Sequence, residues 1–152
     1  MTGEPPHAFE YAVLRVVPRV DRGESINAGV LVYCRPLRFL RALVDLDAER
    51  LLALDPAADV EGVRQALAAI VAVCDEPDRS AGQRGVAAAA GEVAEQDIGR
   101  RFSWLTAPRS TVVQPGPVHT GLTRDPAAEA ERLLRALVRR LDGPAVPGSS
   151  PR

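Results

Sequence analysis

Three groups of side chains have the types and spacing to do chemistry. The first is Arg15, Glu24 and Asn27, around the first hairpin of the chain. Arg15 interrupts an otherwise apolar segment, and an arginine there must be paired or reach water. It is either part of an internal ion pair or turn stabiliser, or the cation of an anion site mounted on a rigid sheet. The second group is Arg100, Arg101, Arg109, Ser110, Thr111, Gln114, His119 and Thr120. Guanidinium forks, hydroxyls and an imidazole on loop-like backbone are what phosphate or carboxylate recognition uses. The bland alternative is that Ser and Thr satisfy their own loop while the arginines stay solvated. His119 has no nucleophile or metal partner nearby in sequence, so it reads as a structural hydrogen-bonder before a general acid or base. The third group is Asp45, Asp47 and Glu49 at the exit of a strand. Carboxylates so spaced can hold Mg²⁺, but Asp47 also stands where a helix needs its cap. Neither a metal nor a cofactor is expected.

Several chemistries have no signature here. The sequence contains no P-loop, no GxGxxG turn between strand and helix, no GxSxG elbow and no HExxH. The net charge is -1 and aromatic residues are 4%, so a basic stripe interleaved with stacking rings is absent and nucleic-acid binding is disfavoured. All 19 basic residues other than histidine are arginine. That bias suits bidentate anion contacts. It is also what a GC-rich bacterial genome of actinobacterial character produces. Cys34 and Cys74 lack metal-ligand spacing and fall on apolar faces, so buried reduced thiols are expected. The N-terminus has no signal-peptide pattern, and no apolar run approaches the ~20 residues of a membrane span. The expectation is a cytoplasmic protein.

The elements that must position these groups follow from periodicity. Three strands, Phe9 to Val17, Ile26 to Cys34 and Arg38 to Leu46, are separated by turns too short for a parallel crossover, so they form an antiparallel meander. Strict alternation puts Asn27, Gly29, Leu31 and Tyr33 on one face, with Gly29 leaving room for something to approach the backbone. Asp47 caps a helix over Ala48 to Leu54, and Asp59 caps one that ends near Asp75. Alanines favour a further helix over Val86 to Glu95. A short helix is expected over Arg100 to Leu105, an edge strand near Ser110 to Gln114 and an extended piece at Val118. Asp125 and Pro126 open the last helix, whose stripe is Leu133, Leu134, Leu137, Val138 and Leu141, and Gly143-Pro144 stops it. The fold class is a single α+β domain over residues 8–142: three or four antiparallel strands packed by three or four helices. Residues 1–7 are expected to be a flexible tail and 143–152 a disordered one.

Two segments, YAVLRVVPRVDRGESINAGVLVYC and RFSWLTAPRSTVVQPGPVHTGL, resemble the bacterial family called domain of unknown function 3037. The resemblance places Arg15, Glu24, Asn27 and Gly29 in one motif and Arg101, Trp104, Arg109, Ser110, Gln114 and His119 in the other. It brings no catalytic residue, and it implies a gene that often neighbours one for a HipA-like kinase, which points to a protein partner. The leading expectation is a non-catalytic binding or accessory module. Its arginine-rich surface of Arg15, Glu24, Asn27, Arg101, Arg109, Ser110, Gln114 and His119 would engage a protein partner, with that kinase as one candidate, or a small anionic ligand. The rival is a small enzyme acting on a phosphate ester or nucleotide, in which Arg15, Arg101 and Arg109 clamp the anion and Glu24 or His119 is the base. Nucleic-acid binding is third.

Overall fold

A meander of β-branched residues cannot stand alone in water, so the sheet must be covered. The computed structural model describes residues 3–77 and 97–141 and shows how. The elements in order are β1 (His7–Val16), β2 (Ile26–Cys34), β3 (Phe39–Val44), α1 (Ala48–Leu54) and α2 (Val60–Asp75). There follow α3, described over residues 97–105, β4 (Val113–Pro115), β5 (His119–Thr123) and α4 (Pro126–Leu137). All strand pairs are antiparallel. The five-stranded sheet runs β3-β2-β1-β4, and β5 also pairs with β1. The α+β class holds, with one strand more than expected. The expected helix over Val86 to Glu95 and tail over 143–152 lie outside the described residues. At the other end β1 begins at His7, and the Glu4 carbonyl accepts a hydrogen bond from Nε of Arg124.

Helices cover both faces. On one side Ala130, Leu133, Leu134 and Val138, from α4 and its C-cap, pack on Phe9, Val30, Val32 and Cys34. On the other, Leu51 of α1 and Val63 and Leu67 of α2 pack on Leu14, Val16 and Ile26. Cys74, Phe102 and Leu105 cover Leu31 and Ala42 there. Each Val, Leu, Ile or Phe among these, fully buried, contributes about 1.5–3 kcal/mol. Cys34 and Cys74 are free and buried, and burial pushes the Cys74 thiol up to about 12. Among the described residues no helix is long and apolar enough to cross a membrane.

Three details depart from simple periodicity. The first is in β2, where the register against β1 slips between Leu14↔Gly29 and Arg15↔Asn27. Ala28 is the extra residue, and this bulge turns Asn27 from the α2 face to the α4 face. The second is the edge strand. Thr111 Oγ1 donates to the Val113 carbonyl and Gln114 Nε2 to the Thr111 carbonyl, so a side-chain-bonded turn delays β4 to Val113. The third is α4, which ends at Leu137 and not at Gly143-Pro144. Asn27 Nδ2 donates to the Leu137 carbonyl at 2.9 Å. Arg139 and Arg140 turn away to carboxylates, so Leu141 is 82% exposed and lies outside the stripe.

What approaches Gly29 is the neighbouring strand and not a ligand. A Cβ there would lie 2.8 Å from the Leu43 carbonyl oxygen and 3.0 Å from a Val44 methyl. Gly29→Ala should therefore cost about 1–3 kcal/mol through overpacking. Urea unfolding checks this, and an unchanged midpoint would contradict the packing.

Candidate functional site

The two register-bound neighbours of Arg15 build the centre of the site. Arg15 sits opposite Asn27 of β2 on one side and Gln114 of β4 on the other. Directly opposed residues share a face, so the three side chains form a row across three strands on the α4 side, spanning about 10 Å. Arg15 is exposed. Its guanidinium is laid sideways over the edge strand: Cζ is 3.2 Å from where a Gly116 side chain would begin. The absence of a Cβ at Gly116 gives the guanidinium its seat. Among the described residues no hydrogen bond or ion pair engages Arg15. The amides beside it are held by backbone, Asn27 to Leu137 and Gln114 to Thr111. Arg15 is thus the group in the row without a partner among the described residues.

His119 lies on the same face. It sits opposite Tyr11, with ring centroids 5.2 Å apart. Tyr11 is four residues from Arg15, so His119 stands about 13 Å along the strand from the row. One molecule of moderate size could touch both.

The other residues singled out in the sequence lie elsewhere. Glu24 pairs with Arg22 inside the β1–β2 turn. Arg101 belongs to the opposite layer, where it joins α2 to α3. It pairs with Asp97 and donates to the carbonyls of Val73, Glu76 and Pro77, and its side chain is only 12% exposed. Arg109 stacks on Trp104, 4.4 Å from guanidinium carbon to ring centroid, and donates to the Trp104 carbonyl. Ser110 is exposed on the loop after α3. The clamp of Arg15, Arg101 and Arg109 is therefore not assembled, because α2 and α3 hold the last two on the far side of the sheet. Arg109 instead borders a groove of about 600 Å³ between α2 and residues 104–113, walled by Ala66, Ile70, Trp104 and Val112. Sequence reasoning missed that groove. Its one signal was the run of apolar residues in α2 from Ala66 to Cys74, wider than one packed face requires.

The carboxylates of the third group are met by arginines. Asp45 pairs with Arg139, and Arg140 reaches both Asp47 and Glu49. Asp47 also caps α1 by accepting from the Arg50 backbone N–H. The Arg140 hydrogen bond, followed by that backbone bond, holds the Asp47 carboxyl down at about 2. These contacts fasten the end of α4 to the start of α1, and among the described residues no cluster could hold a metal ion.

Comparison with known proteins adds a family. The family described as "Protein of unknown function (DUF3037)" matches over residues 11–138, and the chain belongs to it. No curated protein matches the chain, and no solved structure does.

Two outcomes follow from this division of labour. Arg101→Met should lower stability by about 3 kcal/mol in urea unfolding, since Asp97 and three carbonyls lose a part-buried partner. An unchanged unfolding midpoint would contradict the placement. Asp47 has a folded pKa below its ordinary 3.8, so its link to Arg140 stabilises fully above that value and is lost as pH falls toward about 2. Carboxyl ¹³C titration should find Asp47 near about 2 in the wild type and closer to 3.8 in R140Q. Equal values in the two proteins would remove the link.

Proposed function

We propose that the chain is a cytoplasmic, non-catalytic binding module whose α4-side polar row holds an anionic group, presented by a protein partner or a small ligand. The observation that carries this reading is Arg15: an exposed guanidinium, seated on Gly116 between two immobilised amides, with no counter-charge among the described residues. A guanidinium without a counter-charge is suited to bidentate capture of a carboxylate or phosphate. His119 and Tyr11 extend the surface along β1. A HipA-like kinase presenting an acidic segment is one partner of this kind. Two buried free thiols agree with a reducing compartment. The enzyme reading is the weaker one, because its clamp is not assembled: Glu24 is taken by Arg22 and Arg101 by four local partners, which leaves His119 as its base with Arg15 alone.

Thermal unfolding with sodium pyrophosphate as the probe tests this. At one hundred times its Kd, a ligand of the folded state adds about 2.7 kcal/mol and raises Tm. The wild type should show that rise and Arg15→Gln should lose it, with the two unliganded melting points close together. A rise that survives in R15Q would place the anion elsewhere.

A further inference from the structure

Strands β4 and β5 are one edge strand with a break. Both pair with the same side of β1, β4 opposite Leu14 to Val16 and β5 opposite His7 to Tyr11. Between Pro115 and His119 lie residues 116–118, three in number, facing only Ala12 and Val13 of β1. The extra residue, with Pro115 and Pro117, blunts the β4 half. The β5 half is unguarded. No described strand pairs with its outer edge, and residues 113–123 contain no Asp, Glu, Lys or Arg. Charged side chains, prolines and bulges are how proteins keep such an edge from recruiting another chain. At β5 they are missing, and the apolar side chains of Leu122 and Val118 stand 68% and 42% exposed.

We infer that β5 is the docking edge for an extended acidic peptide, which adds as a sixth strand and places a carboxylate on Arg15. This rests on the reading of Arg15 given above and names the form its partner takes. Main-chain hydrogen bonds to a sheet edge supply affinity and tolerate many sequences, while side-chain pockets supply selectivity. Here the selective group is a cation just past the end of the edge. The Arg15 guanidinium lies over Gly116, three residues before His119. At ~3.3 Å per residue, an acidic side chain two positions beyond the residue facing His119 lies on the same face and reaches it. A second copy of this chain fits the same edge less well. Paired antiparallel about Gly121, it would set its Arg124 opposite Val118, at the end of the edge nearest Arg15, where it brings a cation and no carboxylate. Its neighbouring Asp125 is already committed to capping α4.

The test is selection from a random nonapeptide display library on the full chain, followed by amide hydrogen exchange with a selected synthetic peptide. The expected peptides carry Asp or Glu at a fixed distance from an alternating β-branched stretch. They should protect the amides of residues 119–123 and bind Arg15→Gln at least tenfold more weakly. Leu122→Glu, at an exposed position, should weaken them similarly without altering the pyrophosphate response. Peptides without an acidic position, equal binding to R15Q, protection away from 119–123, or no enrichment at all would each overturn the inference. So would exchange protection of β5 in a self-associated dimer. If pyrophosphate still raises Tm through Arg15 in those cases, the anion site stands and only the strand-addition form falls. If both responses are missing, the anion site falls with it.

Discussion

The backbone of β1 is hydrogen-bonded along both edges, and everything on the α4 side takes its position from that strand. A strand paired twice cannot slide or twist independently of its neighbours, so Arg15 is fixed relative to Asn27 and to Gln114 by backbone geometry alone. The bulge at Ala28 is part of the same constraint. Without it Asn27 would turn under α1 and α2. With it Asn27 reaches the Leu137 carbonyl at the end of α4 and stands beside Arg15. A single extra residue thus sets the composition of the polar row.

The arginines divide by what they touch. Arg101 ties α2 to α3, Arg139 and Arg140 tie α4 to the exit of β3, and Arg22 and Arg132 pair with carboxylates two and three residues away. Exposed pairs of the last kind contribute little to stability. Their consequence for function is that they neutralise charge locally. On the α4 face Arg41 lies over the Phe39 ring, while Arg15 stands between the Asn27 and Gln114 amides with no carboxylate among the described residues, in a protein of net charge -1.

Most of the architecture was legible because it rests on local rules. The caps Asp47, Asp59 and Asp125 begin their helices as expected, β2 spans Ile26 to Cys34, and Gly23 takes the positive φ its turn needs. The candidate site was legible only in part. Residue type alone flagged Arg15, Asn27, Gln114 and His119, but could not tell them from Arg101 and Arg109. That distinction depends on which side of the sheet α2 and α3 occupy, a property of packing that no window of sequence contains. Two further misreadings have the same cause at smaller scale. Strict alternation cannot foresee the bulge at Ala28, and the helical period through Leu141 cannot foresee that α4 closes at Leu137, where the Val138 and Arg139 amides both donate to the Leu134 carbonyl.

The central claim is that Arg15 is the anion contact, and the Nε–H resonances of the arginines report on it most directly. In a ¹H–¹⁵N correlation spectrum titrated with pyrophosphate, the Arg15 Nε–H should shift and sharpen, together with the side-chain amides of Asn27 and Gln114, while those of Arg101 and Arg109 stay in place. Shifts centred on Arg109 and the Trp104 indole, with Arg15 unmoved, would contradict the account.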